Sequence, residues 1–183
     1  MNGVAERYRR VALGFSHRVD GVTGDGWDRP SPCAGWAARD IVTHLAEWVP
    51  AFFRDAGGPV LPQPAGELAP AEAWHRLDAA LQAHVDDAGA AAQVIDHPTL
   101  GRHRFDDAVG QFVAGDLLIH TWDLARAAGL DEALDPELVH GMLVGIEPLD
   151  AVLRSSGQYG ARIDVPPDAD QQTRLIAFTG RQP

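Results

Sequence analysis

Apolar residues recur every three or four positions along most of the chain, the period of an amphipathic helix, and glycine and proline punctuate the breaks between these stretches. Val4, Tyr8, Val11, Ala12, Phe15 and Val19 mark one face of a first helix. Gly21 to Gly35 holds four glycines and two prolines and reads as a loop, with Trp27 as its anchor into the core. Ile41, Leu45, Trp48 and Phe52 predict a second helix from Ala37 to about Arg54, ended by Gly57-Gly58-Pro59. Beyond a proline-rich connection, Pro59 to Pro70, the stripe Trp74, Leu77, Leu81 and Val85 predicts a third helix over Ala71 to about Ala91.

Val94-Ile95 and His103-Arg104-Phe105 flank a turn at Pro98 to Gly101, which fits either a short hairpin or an extended loop. The longest pattern, Val109, Phe112, Val113, Leu117, His120, Leu124 and Ala127, predicts a fourth helix from Asp107 to Ala128, stopped by Gly129 as a left-handed cap. Asp135-Pro136-Glu137 reads as an N-cap, a first-turn proline and an acidic first turn, opening a helix to about Leu153. Gly157 to Pro167 is irregular, and Asp168 to Phe178 forms a short closing helix. With no internal repeat and no long linker, four long helices plus accessories predict an all-α four-helix bundle, one domain spanning 1–183.

A formal net charge of −11 argues against a nucleic-acid partner, because phosphate binding requires a basic surface. Charged residues and glycines interrupt every apolar run well short of the roughly 20 residues of a membrane span. Glu6 and Arg10 likewise break up the N-terminus as a signal peptide, so a cytoplasmic protein is expected. All 15 basic residues are arginine. The single cysteine, Cys33, excludes an internal disulfide and a zinc site of several thiolates, so any metal must be held by histidine and carboxylate. Cys33 precedes the second helix, where it is either a nucleophile favoured by the helix dipole or, more commonly, a small apolar residue fixing a loop.

Asp116 and His120 stand four residues apart, which on a helix sets their Cβ atoms about 6 Å apart on one face. His44 lies on the side of the second helix that carries Ile41, Leu45 and Trp48, and can supply a third ligand from the bundle interior. Two histidines and a carboxylate would leave positions on an ion open for water or substrate, the arrangement of catalytic rather than structural sites. The spacing alone is a weak signal, and a hydrogen-bonded core histidine is the commoner reading of it. Asp123 shares the face of Asp116 and His120, where it would orient a ligand histidine or exchange protons with substrate, a salt bridge being the ordinary alternative. Trp48 and Phe112 would wall the pocket above or below the ion, with plain core packing as the default. Among the other histidines, His75 and His84 do not sit at the interval of a paired site, His97 and His103 are expected to be solvated near a turn, and His140 is expected on a helix that could face the pocket.

Three stretches carry a resemblance. Cys33-Ala-Gly-Trp36 with Arg39-Asp40-Ile-Val-Thr-His44-Leu, Asp116-Leu-Leu-Ile-His120-Thr-Trp-Asp-Leu-Ala-Arg-Ala-Ala-Gly129, and Leu175-Ile-Ala-Phe-Thr-Gly-Arg181 resemble actinobacterial members of the DinB-like superfamily. More closely, they are similar to the metal-binding N-terminal domain of mycothiol-dependent maleylpyruvate isomerase. The resemblance implies a DinB-like bundle that binds zinc, or nickel as a related divalent ion, through His44, Asp116 and His120. The isomerase pattern carries Glu where this chain has Asp116, one methylene shorter, and it continues into a second domain.

The function implied is a metal-dependent enzyme acting on a low-molecular-weight thiol, a mycothiol-dependent transferase or isomerase, with Asp123 supplying an acid. The alternative is a non-catalytic module in which the metal supports small-ligand binding or a protein contact. The expected partner is a small molecule, a thiol in the specific version; a homodimer suits a bundle of this size, although no sequence feature requires it.

Overall fold

A computed structural model describes residues 3–64, 68–155, 157 and 159–183. Four long helices carry the periodic stripes: α1 (Gly3–Gly21), α2 (Ala38–Asp55), α3 (Pro70–Asp86) and α6 (Ala114–Ala128). α1 packs on α3 and α6, and α2 packs on the same two, so the four close into a ring. Inside it lie Tyr8, Phe15, Ile41, Leu45, Phe53, Trp74, Leu81 and Leu117, all buried. Each such side chain contributes about 1.5–3 kcal/mol by leaving water. The fold is all-α, of the DinB-like kind, with one small hairpin. No helix among the described residues is long and apolar enough to cross a membrane.

The elements between the long helices depart from the periodic reading at three places, each with a local cause. The third helix stops at Asp86 instead of running to Ala91, because Asp87 adopts an extended conformation and its carboxylate accepts the Ala90 N–H, starting a separate short helix, α4 (Ala88–Ala91). The helix expected from Asp135 to Leu153 is divided. Pro148 has no N–H to continue the ladder, so α7 (Pro136–Ile146) passes through a 3-10 turn at Glu147–Leu149 before α8 (Asp150–Ser155). The closing helix α9 (Gln171–Phe178) starts later than expected, where the Asp170 carboxylate accepts the Thr173 N–H. Residues 65–67 of the proline-rich connection, and Gln158 in the irregular tail, lie outside the described residues.

Val94–His97 (β1) and Gly101–Arg104 (β2) pair antiparallel with Ile95 opposite His103, so the hairpin reading holds over the extended loop. The fourth helix begins at Phe105 and carries a feature that periodicity does not reveal. Between α5 (Phe105–Ala108) and α6, residues Val109–Val113 form a π-turn, one turn ahead of Asp116. π-turns insert an extra residue into a helix and recur at functional sites.

The C-terminal segment reaches the bundle through a close glycine contact. Gly180 has φ +86°, and a Cβ there would stand 2.8 Å from Gly160 Cα and 3.0 Å from the Ala161 carbonyl oxygen. Gly180→Ala combines left-handed strain of about 1–2 kcal/mol with about 1–3 kcal/mol of overpacking. The variant is therefore expected to lose about 2–5 kcal/mol in urea denaturation, and unchanged stability would contradict this packing.

Candidate metal centre

α2 and α6 are neighbours, and each turns polar groups toward the other at one end of an otherwise apolar contact. His44 projects from α2; Asp116 and His120 project from α6, one turn apart. His44 Nε2 lies 3.4 Å from Asp116 Oδ2, and His120 Nε2 lies 3.5 Å from Asp116 Oδ1. These distances exceed those of a good N–H···O hydrogen bond. Each is near the roughly 3.3–3.4 Å that separates two ligands standing about 2.0–2.1 Å from a tetrahedral zinc, and the two imidazoles face different oxygens of the one carboxylate. The three ligand atoms all lie within 4.8 Å of one another, so their number, type and spacing fit one divalent ion. The His120 side chain is 5% exposed, against 32% for His44 and 30% for Asp116, which leaves one side of the group facing solvent. The shorter carboxylate of Asp116 is thus still within reach of both imidazoles.

Behind His120 runs a chain of buried charge. His120 Nδ1–H donates to Asp123 Oδ2 at 2.9 Å. The Arg181 guanidinium donates to both oxygens of Asp123, Nε to Oδ1 at 2.7 Å and Nη2 to Oδ2 at 2.8 Å. The Cys33 thiol donates to Asp123 Oδ2 at 3.4 Å, and Arg181 Nη2 stands 3.5 Å from Cys33 Sγ. With Asp123 wholly buried and both of its oxygens engaged, its geometry suits fixing the His120 ring; the proton exchange with substrate expected from sequence has no open path to it.

Residues 9–125, more than half of the chain, match the family described as the mycothiol maleylpyruvate isomerase N-terminal domain. The chain belongs to this family. Uncharacterized protein Rv0738 and uncharacterized protein MT0763, from two strains of Mycobacterium tuberculosis, are each similar to it at 28% identity over 184 residues, covering 95% of both chains. No solved structure matches.

For a member of the mycothiol maleylpyruvate isomerase N-terminal domain family, the matched region takes in His44, Asp116, His120 and Asp123 but ends before Arg181. Trp48 is at the site: its indole N–H donates to Asp116 Oδ2 at 3.1 Å, and its ring lies 6.0 Å from His44. Phe112 is a layer removed, its ring on Phe52 at 5.5 Å and on His103 at 5.3 Å, because the π-turn carries it under the hairpin. His97 stacks on Phe52 at 4.8 Å, so His97 and His103 help close an aromatic layer and are not the freely solvated pair expected. His140 is exposed and bonded to Gln171, away from the centre.

Two residues at the site were given no role by sequence reasoning. Trp36 sits 5.0 Å from His44 and stacks 6.0 Å from His120, covering both rings. Its signal lay in the Cys33-Ala-Gly-Trp36 turn, held by the Trp36 N–H donating to the Cys33 carbonyl. Arg181 stood in a quoted motif, but nothing local pairs it with Asp123, 58 residues away. Tyr159 packs edge-on against Phe178 at 6.3 Å, and burial, then the Asp116 charge, push its phenol up to about 12.

Burial disfavours the charge on Asp116, yet the His120 and His44 imidazoles and the Trp48 N–H outweigh it and lower its pKa. Burial also disfavours charge on Asp123, and the bonds from His120 and Arg181 overcome it. For His120, burial opposes protonation, but Asp116 and the bond to Asp123 push it up to about 10 from 6.5. An ion taking Nε2 must therefore displace a proton. Because the folded value is raised, the stabilisation is full below about 6.5 and is lost as pH rises through about 10. Chelator-stripped protein is expected to lose stability over that interval in denaturant titrations, and His120→Gln to lose that dependence; the same pH profile in both would contradict the assignment.

Proposed function

We propose that His44 Nε2, Asp116 and His120 Nε2 hold one divalent ion, zinc first and nickel as the alternative. In this reading the centre binds a low-molecular-weight thiol of the mycothiol type for S-transfer or isomerisation. The observation that carries the reading is the convergence of one ligand atom from each of these three residues within 4.8 Å, beside a side open to solvent. Two imidazoles and one carboxylate suit zinc, and imidazole also suits nickel. When bound, such an ion supplies Lewis acidity that lowers the pKa of a ligated thiol or water. The mycothiol in the family's description supports the choice of thiol.

The chain's own residues divide the remaining work. Asp123 accepts the Nδ1 proton of His120 and so reserves Nε2 as the donor atom. Trp48 fixes one oxygen of Asp116, while Trp36 covers both imidazoles and limits water to the open side.

Calorimetric titration of mycothiol into zinc-loaded protein, chelator-stripped protein and Asp116→Ala tests the reading. Binding is expected to the loaded parent alone, with at least a tenfold loss in the other two, and to be followed by turnover of maleylpyruvate or a bimane electrophile. Thiol binding without any turnover would point to the non-catalytic module. No thiol binding by the loaded protein would overturn the proposal.

A further inference from the structure

His120 is shared by two groups of metal-competent side chains. Its Nε2 faces His44 and Asp116; its Nδ1 faces Asp123, with Cys33 alongside, and the ligand atoms of Cys33, His120 and Asp123 also lie within 4.8 Å of one another. By donor chemistry the second group is the stronger claimant, since a thiolate, an imidazole and a carboxylate are all zinc ligands and sulfur is the softest of them. What separates the two is Arg181. Its guanidinium makes two short bonds to Asp123, lies 3.5 Å from Cys33 Sγ, and is 14% exposed. A guanidinium does not give up its proton in a protein, so this positive charge is permanent. A divalent ion entering the second group would meet like charge at contact distance and would have to displace both bonds to Asp123.

We propose that Arg181 is the resident cation of the Cys33–His120–Asp123 group. It closes that group to metal and confines the centre to one ion on the Nε2 side of His120. The inference rests on the one-ion reading above and adds the residue that decides where the ion can sit. It also gives the C-terminal segment a task, because the Gly180 turn is what delivers the guanidinium to Asp123. Without Arg181, the buried Asp123 carboxylate loses its compensating charge, and a cation from solution becomes the available replacement. Cys33 would then ligate as a thiolate and His120 as a bridging imidazolate, the Sγ–H and Nδ1–H protons both leaving to solvent.

Cadmium titration with ultraviolet detection of the cadmium–thiolate band tests this, because Cys33 is the one cysteine of the chain. The parent is expected to bind one equivalent without the band even in excess cadmium, and Arg181→Lys to behave the same. Arg181→Met is expected to bind a second equivalent with the band, and Cys33→Ser in that background to abolish it. A thiolate band in the parent, or a folded Arg181→Met with one equivalent and no band, overturns the inference. If Arg181→Met is unfolded without metal, cadmium must refold it with the band, and failure to do so also overturns it. A parent that binds no ion would instead count against the one-ion reading itself.

Discussion

Asp123 is wholly buried, and a carboxylate survives removal from water only where opposite charge and hydrogen bonds replace its hydration. The bidentate guanidinium of Arg181 and the Nδ1–H of His120 do most of this here, with the Cys33 thiol as a longer third donor. The same carboxylate thus anchors the end of the chain and sets the orientation of the imidazole on α6. Breaking a buried pair of this kind by removing one partner typically costs 3–5 kcal/mol, which makes the link as much a packing constraint as a chemical one. The close approach of Gly180 to Gly160 belongs to the same constraint, since it turns the chain just before Arg181.

The four-helix ring does the coarser positioning. α2 and α6 lie side by side, and their polar groups meet where the contact opens to solvent, so one imidazole is buried and the other ligands are accessible. The surrounding aromatic rings hold the centre from two directions. Trp36, from the loop before α2, covers the imidazoles, and Trp48 braces Asp116 from within α2. Behind Trp48, Phe52 and Phe112 pack with the hairpin histidines His97 and His103. The group is therefore packed by aromatic rings on the protein side and partly exposed on the other.

What was legible in sequence was what helical period encodes. His44 fell beside Ile41 and Leu45 on an apolar stripe, and Asp116 and His120 fell one turn apart, so their meeting follows from two adjacent amphipathic helices. Breaks caused by a single side chain were less legible. The Asp87 cap and the Pro148 interruption each override a pattern that continues past them, and the π-turn at Val109–Val113 leaves the hydrophobic spacing almost unchanged. Least legible were the pairings across long sequence distances. Arg181 with Asp123, and Trp36 over His120, arise from loop paths, and no periodicity reports where a loop brings its residues.

The account stands on the ion lying on the Nε2 side of His120, and X-ray absorption at the zinc edge of zinc-loaded, tag-free protein tests it most directly. The predicted spectrum has nitrogen and oxygen scatterers at about 2.0–2.2 Å with the outer-shell pattern of two imidazoles. A sulfur shell at about 2.3 Å would place the ion against Cys33 and contradict the account, as would a protein that retains no zinc at all.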